Sequence, residues 1–489
     1  MSDLFNKDLN GGKTAYVDLV ERKRKLYIPF SLNIYIVVIP ILLCITYAIY
    51  MVTGSLYPLL LGFTITYIFT LIYAGRHYGF FSLYCVFLYT SIFFIYSVLF
   101  AETLFPFLDY DFLSIRWPRR ITFAADVGSR FIVASFIETY FIHVFYCIRI
   151  SKQKKKARIQ RKSIPLLIQI GEIMMGIFFI PALVKTYLQV RYVILHGYMS
   201  IFTNGFSNIE YPFWVSGANL GLTAGYCVSL AGNPSKEQFK KISLLYIAIS
   251  LLSALRGQRG SVISLIIICI YWYGKKYDVN IKIRKYVFVG LILIALIVTL
   301  DTARMGYGGN NSNSTSNISS VIDTLIKQSR SRVVPMLVME GDLQYRHYPF
   351  VFSPLLTPYY ALKYGFGQTD EIARNTNDIS NVTMYNISQS AFINGNGFGG
   401  SFLAEAYDLG GYFGVAVFSF LLAQILAICD GSNLDVRSKY IPLLFQFLLN
   451  IPMLPRNRLF GFMNSYLAIG LTYLVLFIVS LTPKKHRGI

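Results

Sequence analysis

The sequence predicts an all-α polytopic membrane protein of about twelve transmembrane helices with one large outer (periplasmic) loop, and three observations predict it. Only 14% of the 489 residues are charged, 55% are hydrophobic, and the mean hydropathy is +0.51. A soluble domain carries roughly 25% charged residues. Apolar runs, most of them about 18 residues or longer, recur along the chain, and such a run crosses a roughly 30 Å hydrocarbon core as helix. The runs are continuous, not alternating segments of about ten residues, which selects helices over the strands of a barrel.

The elements follow in order. Residues 1–29 read as a polar, basic cytoplasmic segment with no cleavable leader. Within 30–300 the spans are predicted near Phe30–Val52, Ser55–Ala74, Gly79–Phe100, Phe131–Arg149, Ile164–Leu183 and Pro212–Ala231. Ile242–Leu255, Ser261–Tyr273 and Tyr286–Leu300 complete that set. Residues 301–399 form the large outer loop. Three spans follow within 400–481, near Gly400–Cys429, Tyr440–Leu454 and Leu459–Leu481, and residues 482–489 are a cytoplasmic tail.

A net charge of +21 would suit a nucleic-acid partner, but its distribution excludes that reading. Alternating the spans from a cytoplasmic N-terminus gathers most of the 45 Lys and Arg residues on the inner face. They are densest in the short loops Lys152–Lys162 and Lys275–Lys285, as the positive-inside bias requires. The six cysteines all fall within apolar runs and read as packing residues; a disulfide framework or metal site needs clustered, accessible thiols. The large loop opens on GGNNSNSTSNISS, a polar stretch that cannot bury a core. The remainder alternates apolar and polar tracts and is expected to form short amphipathic helices capping a cavity.

Three places carry residues suited to chemistry. The first is RGQRG, Arg256–Gly260, in the turn between the seventh and eighth spans. Two guanidiniums three residues apart suit the oxygens of a pyrophosphate, which Arg binds bidentately. The alternative is a pair of arginines snorkelling from a helix end, and the clamp is the favoured reading. The second place, LPRNR at Leu454–Arg458, puts Arg456 and Arg458 in another outer turn, where they could converge with the first pair. The third is GGSFLAEAYDLGGYFG, Gly399–Gly414. Glu405 lies there at the mouth of an apolar helix, where an ionisable group is costly and therefore functional by default. It is the candidate general base toward a sugar hydroxyl, and helix-dipole stabilisation of a first-turn carboxylate is the alternative. Arg304, Arg346, His347 and Tyr407 are further candidate substrate contacts. Asp109-Tyr-Asp111 has the form of a metal-binding DxD but no supporting ligand cluster. Glu138, His143 and Glu172 read as interhelical polar contacts.

In order, spacing and sidedness these motifs resemble those of the O-antigen polysaccharide polymerase family (Wzy). The resemblance rests on RGQRG, the 301–399 loop, the GGSFLAEAYDLGGYFG entry helix and LPRNR, so it covers roughly Ser253–Leu481. One departure is Asp408-Leu409-Gly410-Gly411, where a polar stretch containing Asn would be more usual. The resemblance implies a metal-independent glycosyltransferase without cofactor, sited in the bacterial inner membrane with its active site facing the periplasm. Its substrate would be an undecaprenyl-pyrophosphate-linked oligosaccharide, and its partners membrane lipids and a chain-length regulator protein. Two alternatives stay open: an O-antigen ligase, and a lipid-linked oligosaccharide flippase or transporter.

Overall fold

The structure is a computed structural model. It describes residues 30–108, 110–115, 119–153, 162–197, 209, 211–255, 259–279, 326, 328–365, 367–432, 434 and 437–481. The predicted span at 286–300, and with it Arg256 and Arg304, lies outside the described residues. Every other predicted span coincides with a helical segment.

The helices are α1 (Phe30–Thr53), α2 (Tyr57–Tyr78), α3 (Leu83–Leu104), α4 (Ala125–Lys152), α5 (Pro165–His196), α6 (Ala218–Ala231), α7 (Lys236–Ala254) and α8 (Arg259–Tyr277). Short helices α9 (Val333–Glu340), α10 (Ser353–Tyr364), α11 (Asp370–Asn375), α12 (Ile379–Ile387) and α13 (Gln389–Ile393) occupy the described part of the predicted loop. The chain then forms α14 (Phe402–Gly431), α15 (Ile441–Asn450) and α16 (Tyr466–Leu481). Among the described residues, seven helical stretches are long and apolar enough to cross a membrane: α1 to α5, α14, and Gly461–Leu481, which contains α16. α6 and α15 are only 14 and 10 residues long, and α7 and α8 carry lysines at one end.

Packing explains several boundaries. α5 and α6 lie in contact along their length because Gly221, Gly225 and Ser229, spaced by four, present a small-residue stripe. A Cβ at Gly171 would fall 2.5 Å from the Ser229 nitrogen and 2.6 Å from the Gly225 carbonyl oxygen. α4 also runs in contact with α14. α3 contains a π-helical segment, Ile92–Tyr96, that faces the 3₁₀ turns Gln328–Arg332 and Ile451–Arg456. Such segments are frequent at functional sites.

Two sets of helix ends separate. At one end the buried Asp430 carboxylate accepts the N–H groups of Leu83 (3.0 Å) and Tyr84 (3.3 Å) and the Tyr146 hydroxyl (2.9 Å). Gln153 donates to the Ala427 carbonyl at 3.0 Å, and Lys275 to the Asp430 carbonyl. The start of α3 therefore meets the ends of α4, α8 and α14. At the opposite ends, Arg130 donates to the Met339 carbonyl at 3.0 Å. The buried Arg332 donates to the carbonyls of Phe112 and Ser114, both at 2.9 Å. Burial pushes the Arg332 guanidinium down to about 10, still charged at neutral pH. These bonds tie the connection after α3 to the segment before α9.

Candidate functional site

The site is built around the turn after α15, Ile451–Leu459. Pro452 and Pro455 end the α-helix and leave a 3₁₀ turn, since proline lacks the N–H that an α-helix needs. Asn450 closes the turn: its Nδ2 donates to the carbonyls of Arg458 (3.0 Å) and Leu459 (3.2 Å), and its Oδ1 accepts from Asn457 Nδ2 at 2.7 Å.

The other two motifs come to this turn. A Cβ at Gly260 would lie 2.8 Å from Cε of Met453. A Cβ at Gly399 would lie 2.8 Å from the Arg456 carbonyl oxygen, and φ there is +84°, which favours glycine further. A Cβ at Gly400 would approach Cγ of Arg458 to 3.0 Å. Ser401 caps α14 through the Ala404 N–H. One turn in, Glu405 Oε2 accepts the Leu459 N–H at 2.7 Å. Gly260 thus rests against this turn through the Met453 side chain, and GGSFLAE and LPRNR are adjacent in space because Gly399 and Gly400 let the two segments meet.

Glu405 is fully buried, and its Oε1 has no hydrogen-bond partner among the described residues. An unsatisfied buried carboxylate oxygen is costly and calls for a reason. Arg458 forms an ion pair with Asp378 and donates to Asn464 Oδ1 at 3.2 Å. The two paired side chains are only 10% and 17% exposed. Arg458 and Asp378 both lie within electrostatic reach of Glu405. The Arg456 guanidinium sits over the Phe94 ring, 5.8 Å from its centroid, so the π-helical segment of α3 forms the wall behind it.

The family model of the O-antigen polysaccharide polymerase Wzy matches residues 31–487, nearly the whole chain. The chain belongs to the Wzy family. No curated protein and no solved structure matches it. Membership makes it a multi-pass membrane protein of polysaccharide biosynthesis and supports polymerisation of O-antigen as its general role. The N-terminal half, outside the stretch whose motifs carry the resemblance, lies inside the match.

The remaining candidates of this Wzy chain fall in different places. Arg346 Nε pairs with Asp408 Oδ1 at 2.6 Å, and Asp408 Oδ2 also accepts the Phe350 N–H at 2.8 Å. Asp408 thus ties the first turns of α14 to the segment between α9 and α10. His347 Nε2 lies 2.6 Å from the Arg374 carbonyl, so that nitrogen carries the proton and donates. The His347 N–H donates to Asn377 Oδ1. Tyr407 faces away from Glu405 into an open groove. Arg259 begins α8, and its side chain lies outside the described residues. Asp111 Oδ1 accepts the Leu113 N–H at 2.9 Å, a local turn. Glu138 accepts the Tyr96 hydroxyl at 2.6 Å, and His143 Nδ1 bonds Tyr84 at 2.8 Å, both interhelical contacts. Sequence reasoning missed Asp378, Asn450 and Phe94. Only Asp378 carried a legible signal, as an Asp preceding the apolar start of α12, where it caps the helix.

Proposed function

We propose that this protein polymerises lipid-linked oligosaccharide repeat units at the outer face of the bacterial inner membrane, with both termini cytoplasmic. The growing glycan leaves undecaprenyl pyrophosphate and joins a hydroxyl of a new lipid-linked repeat unit. The observation that carries this reading is the meeting of Glu405, Arg456 and Arg458 at one turn, with Gly260 packed against its Met453.

The chemistry divides between the two charges. Glu405 orients the acceptor hydroxyl and takes its proton as the oxygen bonds to the anomeric carbon. Its Oε1, without a partner among the described residues, is the atom suited to that hydroxyl. The glycosidic carbon–oxygen bond to the pyrophosphate breaks, and the departing lipid pyrophosphate keeps the electron pair. Arg456 and Arg458, together with Arg256 and Arg259, stabilise that developing charge. Asp378 holds Arg458 in position, and a pyrophosphate oxygen would share its guanidinium. Arg304, Arg346 and His347 line the approach of the glycan, and the segment 301–399 caps the site. The reaction needs neither metal nor nucleotide donor, and a chain-length regulator protein would act on its product distribution.

The test is complementation of a strain lacking its polymerase, scored by the ladder of polymer lengths and by the membrane level of the protein. The intact chain should restore long polymer, and Arg456→Lys with Arg458→Lys should leave single repeat units on lipid. A long ladder from that double variant would overturn the assignment.

A further inference from the structure

Beside the first turns of α14 an open groove of about 400 Å³ lies between α1, α4 and α14, within the size range of small-ligand sites. Its walls carry four tyrosines, Tyr47 and Tyr50 from α1 and Tyr407 and Tyr412 from α14. An ion pair between Asp126 and Arg130 at 2.9 Å forms its polar edge.

The backbone of α14 is arranged to make this groove. Residues five apart on a regular helix point about 140° away from each other, so Tyr407 and Tyr412 would not meet. Here their rings stand edge to face, 5.5 Å between centroids. The helix breaks between them, at Gly410 and Gly411, and Gly411 takes φ +58°, a conformation that only glycine adopts without strain. Asp408, bonded to Arg346 and to the Phe350 N–H, holds the segment before the break. The departure of Asp408-Leu409-Gly410-Gly411 from the usual family pattern is therefore the feature that aims both tyrosines into one cavity.

We infer that this groove is a saccharide-binding subsite, taking a sugar of the lipid-linked glycan. A pyranose offers apolar C–H faces and a rim of hydroxyls. Tyrosine rings match the faces with little side-chain entropy to lose, and their hydroxyls reach the rim. A carboxylate and a guanidinium side by side accept from and donate to vicinal hydroxyls. Arg130 keeps its place through its second bond, to the Met339 carbonyl. The opposed charges of Asp126 and Arg130 cancel, so the groove does not select an anion, and a charged edge does not suit an acyl chain. An interfacial aromatic belt spreads tyrosines around the protein; here four converge on one concavity. Tyr407 lies two residues from Glu405, about 200° around the helix. A sugar held on Tyr407 therefore sits across the first turns of α14 from the carboxylate.

The identity of the glycan rests on the polymerase reading, and the test separates the two. The full chain, purified in nanodiscs, is titrated with lipid-free oligosaccharide released by mild acid from the strain's own polymer, with saturation-transfer NMR as readout. Tyr50→Ala and Tyr412→Ala should each weaken binding roughly ten-fold, while Tyr50→Phe, which keeps the ring, should retain most of it. In cells both Ala variants should shift the ladder toward shorter chains at unchanged membrane protein level. Wild-type binding by both Ala variants, or no binding by the intact protein, would overturn the subsite and leave the polymerase untouched. Binding that depends on the tyrosines, from a chain that restores no polymer, would instead sink the polymerase reading and leave the groove standing.

Discussion

Glu405 Oε2 accepts the backbone N–H of Leu459 at 2.7 Å, and this bond fastens the entry turn of α14 to the arginine turn after α15. A glutamine can accept the same N–H through its amide oxygen, so Glu405→Gln should preserve the fold while removing the base. Polymerisation is then expected to fall by about 10²–10⁴-fold, the usual share of general acid–base catalysis. Polymer yield per membrane-inserted protein measures it, and a normal yield removes Glu405 from the chemistry.

The arginine clamp predicts that charge alone is not enough. Arg256→Lys and Arg259→Lys keep the charge and snorkel as well, but lose the bidentate fork. A charge-assisted hydrogen bond contributes about 1.5–3 kcal/mol, so each variant should lose roughly one to two decades in rate. Silent lysine variants, with an alanine pair that lowers only expression, would make these arginines topology anchors.

Asp378 and Arg458 are mutually dependent. Removing one partner of a largely buried pair costs about 3–5 kcal/mol, so Asp378→Asn should lower the Tm of the purified protein markedly. Adding Arg458→Met to it should cost less than the two separate losses combined. Strict additivity in that cycle would mean that the ion pair contributes nothing.

Glycine is required at Gly399 and not at Gly176. Gly399→Ala places a Cβ 2.8 Å from the Arg456 carbonyl at positive φ, a strain of about 1–3 kcal/mol, and should abolish long polymer by displacing the arginine turn. Gly176, inside α5, has open space where its Cβ would go. Gly176→Ala should leave stability unchanged or raise it by up to about 1 kcal/mol. Equal behaviour of the two variants in polymer length would contradict the close approach.

Gln153 and Ser380 belong to opposite ends of the bundle, since Gln153 bonds Ala427 near Asp430 while Ser380 bonds Asp378, the partner of Arg458. Reporter fusions should therefore read cytoplasmic at Gln153 and external at Ser380. A cytoplasmic reading at Ser380 would overturn the functional reading along with the topology.

The positions of the helices were legible in the chain because a lipid core demands about 20 apolar residues with every backbone group satisfied within the segment. The family was legible because short glycine- and arginine-bearing motifs keep their order along the sequence. Helix ends were less so. α4 starts at Ala125 and α5 runs to His196, beyond their predicted limits. Asp126, Arg130, Lys185 and Arg191 lower hydropathy there without stopping a helix. Only the tertiary structure decided that Arg458 meets Asp378, that Arg456 rests on Phe94, and that Glu405 is buried with one oxygen unmatched among the described residues. It alone turned Gly410–Gly411 into a break that brings Tyr407 beside Tyr412. Hydropathy is a property of each segment by itself. Charge pairing, glycine contacts and ring geometry join residues far apart in sequence, and exist only once the helices have packed.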